Sequence, residues 1–262
     1  MMATLPKDDL PNLYAVVRVP KTGSTSLAGM FYAALPDAKF HNLHFLGNED
    51  KQTGDFYSSF RHHRRQKRFL RKIGVADEQA LFAKIQAEAV EGDVLIGHFP
   101  MSKVQYPLER LQPITMLRDP VARFLSRYRY DRVGYQKRNW IRRSYVGGQL
   151  AAAGTRDLDS YIDFAEAHRD LFRNDMARQL STSGDPQKAL DEVRQHYFHI
   201  GTLEKIDRFA VELQEKLARP VQVERKNVTP SDGAVVSPQQ RSRIESLVDL
   251  DMQLYTLAAQ GG

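Results

Sequence analysis

The stretch "AVVRVPKTGSTSLAGMFYAAL", from Ala15 to Leu35, indicates the architecture of the chain. Its first residues are apolar and β-branched, as in a buried strand, and its last third has the apolar spacing of a helix. The turn between them, Pro20–Ser26, holds one lysine, one glycine and four hydroxyl side chains. Because so polar a turn contributes little to packing, the pattern predicts a strand–loop–helix unit whose loop holds a ligand.

The rest of the chain alternates short strands with helices, which predicts a mainly parallel sheet covered on both sides. The predicted strands are Tyr14–Val19, Lys39–Leu43, Val94–Gly97, Ile114–Leu117, His199–Thr202 and Val221–Glu224. The predicted helices are Ser24–Leu35, Asp77–Glu91, Pro120–Val133, Leu158–His168, Lys205–Ala218 and Pro238–Ala259. We expect one α/β domain over 1–262, with a short N-terminal extension at 1–12 and insertions near 47–74 and 134–156. Ligands of such sheets lie at the carboxyl ends of the strands.

Composition excludes several classes of protein. Hydrophobic residues make up 42% of the chain, enough for a buried core. The chain has no cysteine, which excludes a disulfide framework, a thiolate metal site and a cysteine nucleophile. No apolar run is long enough to cross a bilayer or to form an export signal, and no His/Asp/Glu cluster has metal-ligand spacing. We expect a cytoplasmic protein with no integral membrane segment and no metal requirement.

The net charge of +6 and the sequence pI of about 9.4 predict an acidic partner. The excess of positive charge is concentrated in Arg61–Lys72 and Arg127–Arg143. Each run could be a solvated helical face, or it could bind a phosphate-bearing or anionic ligand. Arg138, Arg142 and Arg143 are candidates to contact an acidic acceptor.

The loop after the first strand has the features of an anion site. Backbone N–H groups at a helix N-terminus attract anions, and the helix dipole adds to the effect. Gly23 permits positive φ or close approach of a ligand. Lys21 adds a mobile charge, and hydroxyl donors come from Thr22, Ser24, Thr25 and Ser26. The alternative is a helix capped by Ser24 or Thr25 beside a solvated lysine. The triphosphatase signature G-x-x-x-x-G-K-[ST] is absent, which argues against a nucleotide triphosphatase loop.

A second anion site is predicted in "TMLRDPVARFLSRYRY", residues 115–130. Arg118 comes at the carboxyl end of an apolar strand, Asp119 suits an N-cap, and Pro120 suits the first position of a helix. Ser126 falls two turns into that helix, on a face that can point back towards Arg118. An arginine fork with a hydroxyl suits a phosphate monoester. The structural alternative pairs Arg118 with Asp119 or another carboxylate and gives Ser126 no role.

With these residues in view, the chain resembles sulfotransferases that use 3′-phosphoadenosine 5′-phosphosulfate (PAPS). "RVPKTGSTS" (18–26) resembles their 5′-phosphosulfate loop, most closely in carbohydrate O-sulfotransferases of the hexuronyl (heparan sulfate) 2-O type. "RDPVARFLSRY" resembles their 3′-phosphate site, in which the residues at Arg118 and Ser126 are ligands. Further similar segments are "FHNLH" (40–44), "IGHFP" (96–100), "NDMARQLS" (174–181), "IGTLEKIDRF" (200–209) and "RKNVTP" (225–230). The resemblance implies a P-loop-like sulfotransferase fold, PAPS as donor and 3′,5′-adenosine bisphosphate as product. Animal relatives have a membrane anchor and disulfides; because this sequence shows neither, we expect a bacterial member.

The resemblance also implies roles in the reaction. Lys21 would stabilise charge on the leaving phosphate, and His98, directly after the strand "VLIG", would be the catalytic base. The family motif reads His-Gly-His, whereas this chain has Ile96 at the first position. The identity of the acceptor is therefore not fixed by the resemblance. His44 is a second candidate, either as the base or as a residue of the acceptor cleft.

Four further residues are candidates for binding. Arg18 and Arg178, like His44, could contact the acceptor, although Arg18 could instead form a salt bridge at the strand end and Arg178 could pack against the sheet. Lys226 and Asn227 lie in a late loop of the kind that completes the nucleotide site in sulfotransferases. We expect transfer of a sulfuryl group to a carbohydrate or glycoconjugate hydroxyl and no nucleic-acid partner. The alternatives are a protein-tyrosine or small-alcohol acceptor, an ATP-dependent kinase, and a non-catalytic polyanion binder.

Overall fold

The computed structural model contains a five-stranded parallel sheet and describes residues 9–43, 64, 66–224 and 236–261. The strands are β1 (Leu13–Val17), β2 (Phe40–Asn42), β3 (Val94–Gly97), β4 (Leu111–Leu117) and β5 (His199–Thr202), in the order β2-β3-β1-β4-β5. β1 lies between β3 and β4, with Val17 opposite both Gly97 and Thr115. The residues that follow these three strands therefore meet at one edge of the sheet. The α/β class with a parallel sheet, predicted from the sequence, is confirmed.

Helices cover both faces of the sheet. They are α1 (Ser24–Ala34), α2 (Glu78–Glu88), α3 (Pro120–Gln136), α4 (Trp140–Ser144), α5 (Gly148–Thr155), α6 (Leu158–Ala167), α7 (Arg169–Phe172), α8 (Asp175–Leu180), α9 (Ala189–His196), α10 (Ile206–Leu217), α11 (Pro238–Leu247) and α12 (Asp249–Gln260). Residues 66–72, which precede α2, are also helical.

The core follows the alternation of side chains along the strands. Val16 of β1 points to the face covered by α1 and α10, where it joins Phe31 and Leu213. Ala15 and Val17 point to the opposite face, which α2, α8, α9 and α12 cover. Because both faces are buried, the strands are apolar almost throughout, which is why the sequence shows short apolar runs instead of polar–apolar alternation.

Two predicted elements are wrong. Residues 221–224 do not form a strand; Val221 and Val223 instead pack, half-buried, against the cluster beneath α1 and α10. The predicted helix Pro238–Ala259 is two helices, because Val248 leaves the helical region with φ −130 and ψ 31. Asn174 occupies this break: its Nδ2 donates to Asp249 Oδ1 at 2.8 Å, and its Oδ1 accepts from the backbone N–H of Leu250 at 3.0 Å.

The predicted insertion at 134–156 is helical and packed against α3. Gly154 of α5 lies so close to the ring of Tyr135 that a Cβ there would come within 2.2 Å of it, so only glycine fits. Of the other predicted insertion, 47–74, the structure describes residues 64 and 66–74, where Leu70 is buried in the core. The limits of the N-terminal extension, the insertions and the single domain stay predictions.

Candidate active site

The loop after β1 has a backbone shape suited to an anion. Lys21 and Gly23 have φ values of 70 and 76, in the left-handed region, while Thr22 between them does not. Alternation of this kind turns successive N–H groups towards one point, and α1 begins immediately afterwards at Ser24. A Cβ at Gly23 would lie 2.6 Å from Leu203 Cδ1 and 2.8 Å from Met116 Cε. Glycine is therefore required here both by φ and by space.

The hydroxyl groups of the loop divide into two kinds. The buried Thr22 Oγ1 donates to the carbonyl of Val19 at 2.9 Å, so this hydroxyl holds the turn closed. The hydroxyls of Ser24 and Thr25 have no hydrogen-bond partner among the residues that the structure describes. Neither of them caps α1, and no acidic residue lies in its first turn. The alternative of a helix capped by Ser24 or Thr25 is therefore not what forms, and the N–H groups at the helix N-terminus are left for an anion.

Two arginines brace the backbone of this loop. Arg18 Nε donates to the carbonyl of Ser24, and Arg123 Nε donates to the carbonyl of Pro20, both at 3.0 Å. Arg123 is itself held by an ion pair with Asp175 of α8. Burial lowers the pKa of Arg18. Arg18, predicted to contact the acceptor, thus also supports the loop, whereas Arg123 was missed although it lies inside the quoted motif.

Lys21 lies in a region of positive potential. Its Nζ is 4.1 Å from the centroid of the Tyr130 ring. Burial lowers its pKa, and the nearby Arg127 and Arg118 act in the same direction, while Asp131 opposes them. Cations crowded at a half-buried edge favour a bound anion, which would relieve their repulsion. Tyr130 was not identified from the sequence.

The side chains of the second predicted anion site have no partner among the described residues. Arg118 directly follows β4, and nowhere in the described ranges does its guanidinium have a carboxylate or hydrogen-bond partner. Asp119 does not pair with it: its Oδ1 accepts from the backbone of Ala122 at 2.7 Å, and its Oδ2 lies 3.9 Å from Arg241. Within the same ranges, the hydroxyl of Ser126 also makes no hydrogen bond. Arg118 therefore pairs neither with Asp119 nor with any other carboxylate of the described residues.

His98 follows β3 and is tied to the loop strand by its ring. Its Nδ1 forms a hydrogen bond with the carbonyl of Arg18. Because a carbonyl can only accept, Nδ1 carries the proton of the neutral ring and Nε2 carries the lone pair. The buried Gln179 of α8 donates from Nε2 to the same carbonyl at 3.2 Å. Gln179 lies 161 residues from Arg18 in the chain, so no local pattern pointed to this contact.

Other predicted residues lie elsewhere. Arg178 donates to the carbonyls of Asp170 and Leu171 and lies 3.7 Å from Asp175, so its contacts are structural. His44, Lys226 and Asn227 lie outside the described residues, and their predicted roles stay predictions.

Metal clusters and membrane spans are both absent from the described parts of the chain. No group of three or more His, Asp or Glu side chains is placed to hold a metal ion there. No helix in those parts is long and apolar enough to span a membrane.

Comparison with known proteins places this geometry in context. The model of the "Sulfotransferase family" matches residues 12–258. Among solved structures, the chain is similar to a sulfotransferase from Alicyclobacillus acidocaldarius, with 15% identity, coverage of 94% of this chain and 98% of the other, and a TM-score of 0.39. That structural likeness is too low to decide anything by itself, and no protein of curated function matches the sequence. The family match extends over nearly the whole chain and includes the loop, β3, β4 and α8. The chain therefore belongs to the sulfotransferase family.

Proposed function

We propose that this sulfotransferase moves the sulfuryl group of PAPS to a hydroxyl of a carbohydrate or glycoconjugate, with His98 as the base and Lys21 stabilising the leaving phosphate. The observation that carries the proposal is the hydrogen bond between His98 Nδ1 and the carbonyl of Arg18. It ties the proposed base to the strand whose following loop, three residues later, contains Lys21. Base and cation are thereby held at the same edge of the sheet.

The arrangement of anion sites fits PAPS as the donor. The N–H groups of the loop and of the α1 N-terminus suit the 5′-phosphosulfate. Arg118 and Ser126, which lack partners within the described chain, suit a 3′-phosphate. ATP carries no 3′-phosphate, so the pair would have no role in the kinase alternative. Lys226 and Asn227 are proposed to complete this side of the nucleotide.

Residues of the chain accept the proton of the attacking hydroxyl and stabilise the negative charge that develops on the leaving phosphate. When bound, PAPS supplies the sulfuryl group. His98 Nε2 accepts the proton of the attacking hydroxyl, and the Nδ1–H bond to the carbonyl of Arg18 stabilises the resulting imidazolium. Lys21 leaves the face of Tyr130 and places its ammonium against the leaving phosphate, whose oxygen gains negative charge as the sulfuryl group departs. The loop N–H groups hold their positions throughout, because Arg18 and Arg123 fix the loop carbonyls.

The choice of a carbohydrate acceptor rests on the resemblance to hexuronyl 2-O-sulfotransferases. His44, Arg18 and Arg178 remain the proposed acceptor contacts, with Arg178 the weakest because its guanidinium is engaged with backbone carbonyls. The position of Ile96, where the related motif has a histidine, leaves a protein-tyrosine or small-alcohol acceptor as the alternative. A cytoplasmic location and a bacterial source are part of the proposal.

The first test is thermal stabilisation by 3′,5′-adenosine bisphosphate, with AMP and ATP·Mg²⁺ as comparisons. A ligand present at about 100 times its Kd adds roughly 2.7 kcal/mol, which for a chain of this size raises Tm by about 5–10 °C. We expect the bisphosphate to give this shift and AMP to give much less. A shift with ATP·Mg²⁺ alone would overturn the choice of donor. The second test is bisphosphate release from PAPS with a panel of glycan, tyrosine-peptide and alcohol acceptors, in which His98→Ala should bind nucleotide normally and fail to turn over.

A further inference from the structure

Exposed apolar side chains are concentrated in one short part of the chain. Of the eight large hydrophobic residues that are well exposed in the described structure, five lie between residues 130 and 145. They are Tyr130, Val133, Trp140, Ile141 and Tyr145, with exposed fractions from 47% to 78%. We call them the aromatic patch. Apolar residues exposed singly are ordinary, but five between residues 130 and 145 indicate an interaction surface.

The charge around the aromatic patch is almost entirely positive. From Pro120 to Arg156 the sequence contains nine Lys and Arg residues and a single acidic residue, Asp131. Arg123 and Arg127 form ion pairs with Asp175 and Asp131, which leaves seven other cations. Asp131 is buried, and its Oδ2 accepts from Arg127 Nε at 2.8 Å, so its charge does not reach the surface. Lys137, Arg142 and Arg143 are exposed beside Trp140. The partner of this surface must therefore be both anionic and able to receive apolar groups.

The fold holds these apolar groups outward. Asn139 caps α4 by accepting from the backbone N–H of Arg142 at 2.9 Å. Arg143 lies over the ring of Tyr135 at 5.4 Å and donates to the carbonyl of Gln136 at 2.6 Å. These contacts fold α4 back against the end of α3. Trp140, at the first position of α4, is left 78% exposed by an ordered structure.

We propose that the aromatic patch and its lysine and arginine neighbours dock this protein onto an anionic membrane surface. Tryptophan and tyrosine favour the boundary between headgroups and acyl chains, and Lys or Arg beside them bind anionic lipids. An acidic polysaccharide would use the same cations and the aromatic rings. It would leave the aliphatic Ile141 and Val133 without an apolar partner, and this favours the membrane.

Docking in this way would also bring the candidate active site to the membrane surface. Tyr130, a member of the patch, contacts Lys21 of the loop, whose Nζ lies 4.1 Å from the centroid of its ring. The patch therefore adjoins the proposed phosphosulfate loop at Lys21. If the proposed function holds, the acceptor hydroxyl is carried by a membrane-held molecule, such as the sugar headgroup of a lipid.

Trp140 is the only tryptophan in the chain, so its fluorescence reports on this surface alone. The test uses the full-length protein without nucleotide, mixed with phosphatidylcholine vesicles or with vesicles that also contain phosphatidylglycerol. We expect co-sedimentation and a blue shift of Trp140 emission only with the anionic vesicles. Replacing Arg142→Gln and Arg143→Gln together should weaken partitioning roughly 30-fold. Trp140→Ala with Ile141→Ser should weaken it as well.

A matched control carries the same kinds of change on another surface. Arg194→Gln with Val211→Ser removes an exposed arginine and an apolar side chain that is 57% exposed, on α9 and α10. This variant should bind vesicles like the wild type, and Tm should be similar for all variants. Equal binding to both vesicle types, or none, would overturn the proposal. Binding without a blue shift would also overturn it, because electrostatic attraction alone would then hold the protein to the vesicle.

Two further outcomes separate the explanations. If heparin or polyuronate shifts Trp140 emission and anionic vesicles do not, the surface binds an acidic glycan and the membrane proposal is wrong. Because the vesicle test uses neither PAPS nor turnover, its failure leaves the proposed sulfuryl transfer standing, and failure of the bisphosphate test leaves membrane docking standing.

Discussion

Replacing Gly23 by alanine tests the reasoning about the loop, because three glycines of the chain separate the possible causes of damage. At Gly23 a side chain meets both a left-handed φ of 76 and two atoms within 2.8 Å. Gly92 has a φ of 84, but a Cβ there would have nothing within 4 Å, and Gly29, inside α1, has neither problem. The series therefore isolates backbone strain, steric contact and helix propensity.

The expected free-energy changes follow from these three environments. A left-handed non-glycine residue costs about 1–2 kcal/mol, so Gly92→Ala should destabilise by that amount. Gly23→Ala adds displacement of Leu203 and the fully buried Met116, which brings the total to about 2–4 kcal/mol. Gly29→Ala should stabilise by about 0.5–1 kcal/mol, because alanine replaces glycine in a helix interior.

Thermal unfolding, followed with and without 3′,5′-adenosine bisphosphate, provides the assay. Without ligand, Gly23→Ala should lower Tm by about 4–16 °C, and Gly29→Ala should raise it slightly. With ligand, Gly92→Ala should keep the full bisphosphate shift, whereas Gly23→Ala should lose most of it because the N–H groups of the loop move. A Gly23→Ala protein as stable as Gly29→Ala would refute the geometry of the loop. A Gly23→Ala protein with the same Tm as Gly92→Ala would refute the steric contribution of Leu203 and Met116.

Four other predictions concern single side chains. Arg118→Gln should weaken bisphosphate binding about 10–100-fold and leave AMP binding unchanged, as measured by calorimetry, because the charged contact to a 3′-phosphate is lost. Lys21→Ala should lower kcat at least about 100-fold with a smaller change in nucleotide affinity, measured by bisphosphate release; equal kcat would contradict its role. Gln179→Met should lower kcat about fivefold with KM unchanged, since one hydrogen bond that fixes the Arg18 carbonyl is removed. Burial raises the pKa of Asp251 to about 6, with Arg123 opposing. The folded protein therefore binds this proton more tightly than the unfolded chain, so this group's contribution to the free energy of unfolding should fall by about 3 kcal/mol as pH rises from about 4 to above 6. Urea unfolding of Asp251→Asn should lack that decline.

Strands and helices were predictable where a local feature of the sequence agrees with the burial of the residues. The strand at "VLIG" and the helix after Asp119 were predicted within a few residues, because an apolar run and an N-cap with proline are local features. The predicted strand at Val221–Glu224 failed because its valines are buried by packing against a helix layer, and burial alone does not create a strand pairing. The break at Val248 could not be foreseen, because Asn174, which occupies it, lies more than 70 residues away.

In the candidate site, too, the residues that could be proposed are those marked by a local feature of the sequence. Arg118 and His98 were proposed as site residues because each directly follows a strand, and Lys21 and Gly23 because they lie in the polar loop between β1 and α1. The residues that hold them, Arg123 and Gln179, could not be identified from spacing. Arg123 was assigned no function because an arginine on an amphipathic helix usually faces solvent, whereas here it is buried against the carbonyl of Pro20.

The cap on α8 has a consequence for the order of synthesis. Asp251 Oδ1 and Oδ2 accept from the backbone N–H groups of Ala177 and Met176, at 2.8 and 3.2 Å, and so fix the start of the short helix that carries Gln179. Gln179 in turn shares the Arg18 carbonyl with His98. A nascent chain that has not reached residue 251 thus contains every proposed reacting group but lacks the carboxylate that fixes the start of α8. We expect the contact from Gln179 to the Arg18 carbonyl to form only after Asp251 has been synthesised, whereas the contact from His98 to that carbonyl needs no residue of α12.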